Sequence, residues 1–251
     1  MPIATRDEVR ELVGDTGGGT GSFRGRELYE FIRRERPGEC LELGFAHGVS
    51  TVYLAAGLEA NGTGHLTSVD LEVVRVREPS AEQLLERAGL APRVTLVYEP
   101  TSYNWFLHRR IREQVRSPGV CEPYLDFCFI DGAHTWVDDG LAFFLVDKLL
   151  KPGGWLLFDD LTWRIEASDV HETERSLAQV GEVFDLLVAC HPLYDHLETD
   201  GEWGWARKTV IRGPQVRTVV ERDLLSGVRQ VARAARTTVR GRLGRRARSA
   251  T

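Results

Sequence analysis

No run of apolar residues in this chain reaches the roughly twenty that a bilayer-spanning helix needs, so a transmembrane reading is excluded. The opening segment MPIATRDEVRELVG lacks the basic-then-apolar layout of a secretory signal, and the expected location is the cytoplasm. Cysteine is sparse. Cys40, Cys121, Cys128 and Cys190 lie far apart, with no C-x-x-C pair, which argues against zinc ligands and disulfides and for reduced thiols. Two nucleotide-binding signatures are missing as well. There is no G-x-G-x-x-G, and the glycine-rich loop from Gly17 to Gly21 lacks the G-K-[ST] ending of a phosphate loop. No internal repeat is present.

What remains is ordinary for a water-exposed globular protein: 251 residues, 42% hydrophobic and 27% charged. The net charge of −5 hides an asymmetry. From Gly213 to Thr251 ten arginines face only Glu221 and Asp223, a net of +8, which leaves −13 for residues 1–212. An acidic body argues against a nucleic-acid-binding surface there. In the tail, Leu224, Val228, Ala232, Ala235, Val239 and Leu243 recur at helical spacing, with Arg229, Arg233, Arg236 and Arg240 mostly off that stripe. Four uses stay open for it: a solvated tail, an interfacial helix on anionic membrane, contact with the acidic body of another subunit in a homo-oligomer, or contact with nucleic acid, though none is expected as a partner.

Between these ends the chain alternates strand and helix, the pattern of a doubly wound, mostly parallel sheet. The expected division is an N-terminal helix and glycine-rich loop over 1–24 that could serve as a lid, a main domain over 25–212, and the basic tail over 213–251. Strands are expected at CLELG, HLTSVD, VTLVY, LDFCFID, WLLFDD and EVFDLLVAC, and at WGWARKTVIR as a last, antiparallel strand. Helices are expected at about 26–36, 50–59, 101–115, 137–150 and 169–180 and within AEQLLERAGL, with a turn at Lys151-Pro152-Gly153-Gly154.

Two acidic clusters end neighbouring apolar runs: Asp131 in FIDGAH, then Asp159 and Asp160 in WLLFDD. The carboxyl ends of parallel strands share one crevice, where ligands bind. Three carboxylates converging there repel one another unless a cation holds them, and Mg²⁺ prefers such all-oxygen sites. The other reading is of strand-end acids facing water. Upstream, the first strand runs into LELGFAHGVS, with Glu42, Gly44, Gly48 and Ser50 as its fixed points. A glycine turn between strand and helix lets a ligand approach the backbone. Glu42 would repel a pyrophosphate but suits a cation, such as the amino or sulfonium group of S-adenosylmethionine; the other reading is a structural turn with a surface acid. Asp70, ending the second strand, can accept both ribose hydroxyls of an adenosine, in that cofactor or in a nicotinamide dinucleotide. Glu99, Thr101 and Ser102 lie where an adenine edge would come close.

In their order and spacing, ELGFAHGVS, SVD, FIDGAHTW and LLKPGGWLLFDDLTW resemble the class I S-adenosylmethionine-dependent methyltransferases over residues 25–210. The chain is most similar to the divalent-metal-dependent O-methyltransferases: the catechol and caffeoyl-coenzyme A type and the related natural-product sugar methyltransferases. The resemblance implies a seven-stranded Rossmann-like sheet with the last strand antiparallel, cofactor at the first two strand ends, and metal held by Asp131, Asp159 and Asp160. It implies a Mg²⁺-dependent transfer to a hydroxyl of a small acceptor, a sugar or a catechol-like phenol. His134 stands where catechol-type relatives carry a lysine base; it is either the base or a capping histidine. His47 also departs from the pattern. Trp136, Trp163, Tyr103 and Trp105 are candidates for the acceptor pocket. Two other classes remain beside this one: a nicotinamide-dependent oxidoreductase, and a non-catalytic module that binds through its basic helix.

Overall fold

In a computed structural model, which describes residues 2–16, 22–166 and 171–209, the apolar runs become the middle of one sheet. Its strands are β1 (Glu39–Leu43), β2 (His65–Leu71) and β3 (Val94–Glu99), then, past a separate two-stranded ribbon of β4 (Val115–Ser117) and β5 (Val120–Cys121), β6 (Leu125–Ile130), β7 (Leu150–Phe158), β8 (Tyr194–Thr199) and β9 (Gly204–Lys208). The spatial order is β3-β2-β1-β6-β7-β9-β8; β9 runs antiparallel to both neighbours and the other pairs are parallel. This is the expected seven-stranded, doubly wound α/β sheet.

Helices cover both faces, so the central strands are apolar on both sides. On one face lie α1 (Arg6–Val13), α2 (Ser22–Glu35), α3 (Val49–Asn61) and α4 (Ala81–Ala88), and their core takes in Phe127, Phe129 and Leu157 from the sheet. On the other lie α5 (Asn104–Gln114), α6 (Trp136–Leu149) and, past the short α7 (Glu172–Arg175), α8 (Gln179–Val183), packed on Leu41, Leu43, Cys128, Ile130 and Phe158. The period-two alternation of a strand sends successive residues of β1 and β6 to opposite layers. Helix α1 belongs to the body, because Val9 and Val13 are buried in the first of these cores. The loop 17–21 and the tail, with its arginine-flanked stripe, lie outside the described residues.

Three expectations are corrected. EVFDLLVAC is not a strand: it is the end of α8 followed by a π-type turn over Phe184–Val188. With Val180 just before it, its buried residues Val183, Phe184 and Val188 follow a helical spacing, which prevails over the β-propensity of its valines and phenylalanine. The sixth strand of the sheet is the largely exposed β8. The Lys151–Gly154 stretch is not a separate turn but lies within β7, where the β6 register shifts. Of the helix expected at 169–180, α7 and the start of α8 are seen; 167–170 fall outside the described residues. Among the described residues, no helix is long and apolar enough to cross a membrane.

Candidate active site

Strand register builds the site. Leu43 pairs with Val69 on one side and with Ile130 on the other, and Ile130 pairs with Phe158. One residue further on, Asp70, Gly44, Asp131 and Asp159 therefore stand side by side at the carboxyl ends of β2, β1, β6 and β7. Backbone bonds from Gly44 N to Val69 O, Asp131 N to Leu43 O and Asp159 N to Ile130 O hold the row at 2.8, 2.8 and 3.0 Å. A cavity of about 280 Å³ opens above it. Gly44, Phe45, Ala46, His47, Ser50 and Asp70 line one half; Asp131, Gly132, His134, Asp159 and Asp160 line the other.

In the first half the chain must turn sharply without side chains in the way. Gly44 has φ +88°, and a Cβ there would lie 1.9 Å from the carbonyl oxygen of Asp131. Asp70 pins the turn from below: its Oδ2 accepts the N–H groups of Phe45 and Ala46, both at 2.8 Å. Gly48 caps the start of α3 and does not line the cavity; a Cβ there would meet Ala81 at 2.7 Å.

Glu42 corrects the expectation of a direct cation contact. Strand alternation sends it beneath the first turn of α3, fully buried, where it accepts hydrogen bonds from Ser50 Oγ, Thr51 Oγ1 and Ser68 Oγ at 2.5, 2.7 and 2.6 Å. It reaches the cavity only through Ser50. Burial pushes its pKa up from 4.5 to about 7, against the pull of the three hydroxyls. A raised carboxyl pKa contributes stability that is fully present below the unfolded value and is lost as pH climbs through the folded one. Wild-type protein is therefore expected to lose of the order of 3 kcal/mol from this group between about pH 4.5 and 7.5. Glu42→Gln, neutral throughout, should flatten that part of the profile in denaturant titrations at several pH values. Parallel profiles for the two proteins would refute the assignment.

The second half gathers charge. His134 Nε2 lies 3.0 Å from Asp160 Oδ2 and 3.4 Å from Asp131 Oδ1, and ligand atoms of these three residues all fall within 4.8 Å of one another. Asp159 is turned differently: its Oδ1 accepts from Trp203 Nε1 at 2.8 Å and from the Asp160 N–H at 2.7 Å. Burial raises the pKa of Asp131 and Asp159, and the like charge of neighbouring carboxylates adds to it. Burial works against the His134 imidazolium, but its hydrogen bonds to Asp131 and Asp160 outweigh that and raise its pKa. The cluster thus attracts positive charge. Its backbone is also held tightly: Ala46, His134 and Asp160, on the cavity wall, have φ of 48, 56 and 58°. Non-glycine residues are rarely found there, and such strain concentrates at functional sites.

The adenine-edge residues do not reach the cavity. Glu99 is buried and paired with Arg109, Ser102 Oγ donates to Asp138 Oδ1 at 3.2 Å, and Thr101 is exposed. That wall is made instead by Val74 and Arg77, from the 3₁₀ turn after β2 and the residue that caps it, in a stretch with no motif to mark it. His47 also lines the cavity, with Nδ1 2.9 Å from the Pro79 carbonyl oxygen. Of the four candidate aromatics, Trp163 stands beside the charged cluster, its ring centroid 5.1 Å from that of His134. Tyr103 is buried and donates to Asp139, Trp105 lies exposed against His108, and Trp136 faces a separate apolar groove.

Residues 41–161 match the family model described as a methyltransferase domain. None of the curated proteins compared matches the chain. Among solved structures, the O-methyltransferase TomG of Streptomyces achromogenes, involved in tomaymycin synthesis and solved with S-adenosylmethionine, is similar at 21% identity and TM-score 0.57, over 81% of this chain and 89% of that one. An O-methyltransferase of Bacillus cereus, in complex with S-adenosylhomocysteine, is similar at 19% and 0.56, over 81% and 90%. The S-adenosylhomocysteine-bound methyltransferase PaMTH1 of Podospora anserina is similar at 18% and 0.58, over 83% and 89%. At these identities the likeness establishes a shared fold. Residues 41–161 thus match a methyltransferase domain, and the sheet has the fold of these solved methyltransferase structures.

Proposed function

We propose that this protein transfers a methyl group from S-adenosylmethionine to a hydroxyl of a small ring-bearing acceptor, a natural-product sugar or a catechol-like phenol, with help from a divalent cation. The observation that carries the reading is the single row of strand ends. It sets a glycine turn and Asp70, suited to a nucleoside, beside Asp131, His134 and Asp160, suited to a cation. The carboxylates of Asp131 and Asp160, whose oxygens lie with His134 Nε2 within 4.8 Å, offer oxygen donors that fit a hard cation such as Mg²⁺ and leave the imidazole to the proton. Asp131 and Asp160 would hold it, with Asp159 alongside. When bound, the cofactor supplies a sulfonium methyl whose bond electrons stay on sulfur as the acceptor oxygen takes the carbon, and the cation lowers the pKa of that hydroxyl.

The chain's own part is to orient and to take a proton. Gly44 lets the ligand approach the backbone, Asp70 presents a carboxylate to a ribose, and Trp163 offers a ring face to the acceptor. His134 Nε2 is the atom that would receive the hydroxyl proton, once the carboxylates it now faces are engaged elsewhere. Most of the rate is expected from holding oxygen and methyl at attacking distance. The four cysteines are free, which supports a reducing, cytoplasmic setting.

Calorimetric titration of S-adenosylhomocysteine into chelator-treated protein, with and without Mg²⁺ and with NAD⁺ as a competing ligand, tests this. Micromolar binding of the homocysteine nucleoside and none of NAD⁺ is expected. Binding of NAD⁺ alone would move the reading to an oxidoreductase, and binding of neither to a non-catalytic module.

A further inference from the structure

Trp203 is the largest fully buried side chain among the described residues, yet its one polar atom points at the charged cluster. It sits just before β9, in the turn that joins β8 to β9, and its Nε1–H donates to Asp159 Oδ1 at 2.8 Å. With the Asp160 N–H on the same oxygen, two donors fix the plane of the Asp159 carboxylate. Among the described residues no donor reaches Asp159 Oδ2. The indole is held in turn. Asp200 Oδ1 accepts the Trp203 backbone N–H at 2.8 Å, Arg24 lies over the ring with its guanidinium carbon 4.7 Å from the centroid, and Arg24 Nη1 is 2.7 Å from Asp200 Oδ2. Phe129 packs on the ring at 6.0 Å between centroids.

We propose that Trp203, braced by Arg24 and Asp200, is a positioning residue that fixes the Asp159 carboxylate on the cavity wall beside the cation subsite, with Oδ2 left as its unengaged oxygen; the inference rests on the cation reading above. A buried indole N–H needs an acceptor, and a neutral carbonyl would satisfy it as well as a carboxylate. Spending it on a cavity carboxylate fixes the orientation of a group that would otherwise turn freely about its terminal torsion, which has broad, two-fold preferences. Outer hydrogen bonds of this kind usually set cation affinity by 10- to 100-fold. The arrangement also ties the site to a hairpin and to α2, elements that contribute no side chain to the cavity wall.

The test is a Mn²⁺ titration of chelator-treated full-length protein, read by electron paramagnetic resonance, with no acceptor present. S-adenosylhomocysteine affinity is measured alongside by calorimetry. Trp203→Phe keeps a ring and removes the N–H; benzothienylalanine at the same position keeps the full bicyclic shape without it, in case the smaller ring fails to fold. Roughly tenfold weaker Mn²⁺ binding with unchanged homocysteine-nucleoside affinity, in whichever variant folds, is expected. Unchanged Mn²⁺ binding overturns the inference alone. Wild-type protein that takes up no Mn²⁺ overturns it together with the cation reading.

Discussion

Asp131→Ala is expected to lower methyl transfer by about a thousandfold while leaving S-adenosylhomocysteine affinity unchanged. The carboxylate is half of the oxygen set around His134, and its Oδ1 is one of the two acids within reach of Nε2. Alanine removes a cation donor and one of the two interactions that hold and orient the imidazole. It disturbs little else, since the Asp131 backbone N–H, which bonds Leu43 O, is retained. Gly44, Ser50 and Asp70, in the half proposed for the nucleoside, lie on other elements. Initial rates of radiolabelled methyl transfer to a diol or catechol panel, set beside calorimetry, separate the two effects. Full activity in the variant would sink the assignment, and joint loss of rate and nucleoside binding would show that Asp131 is structural.

Gly44→Ala should do more damage with one added carbon. The new Cβ would stand 1.9 Å from Asp131 O, 2.6 Å from Asp131 C and 2.7 Å from Gly132 Cα, all backbone atoms of the neighbouring strand end. Neither side can move aside by a rotamer change, and φ +88° disfavours any side chain besides. A stability loss of about 3 kcal/mol or more is expected, roughly 6–12 °C in Tm for a chain of this size, together with loss of nucleoside binding. Gly62→Ala provides the comparison, because that residue also has a positive φ, +72°, but nothing lies within 4 Å of its Cβ position. It should cost only about 1 kcal/mol. Equal effects from the two substitutions would mean that backbone conformation, not the contact with Asp131, decides the result.

The parts of this molecule that announced themselves in sequence are those governed by local rules. LDFCFI and WLLF read as strands because both faces are buried, and acids placed directly after them had to share one edge of a parallel sheet. Asp70, Gly44, Asp131 and Asp159 come together for that reason alone. What stayed hidden depends on partners brought in by the fold. Glu42 looked like a ligand group because the hydroxyls that enclose it come from Ser50 and Thr51 on α3 and from Ser68 on the next strand. Asp159 looked equivalent to Asp160, and only the β8–β9 turn, through Trp203, distinguishes them. Arg77 carried no signal, since nothing periodic marks a turn that folds over a cavity. EVFDLLVAC misled because its valines and phenylalanine favour a strand, whereas its burial follows a helix.

The two halves of the cavity meet at Gly44 and Asp131, which follow β1 and β6, hydrogen-bonded neighbours with nothing between them. Their separation is therefore one rung of the sheet, close to 4.8 Å by the geometry of strand pairing. A backbone ladder is a stiff ruler, and here it fixes the spacing between the glycine turn at Gly44 and the acidic cluster at Asp131. The loops above, Trp163 among them, can then vary without altering that measure.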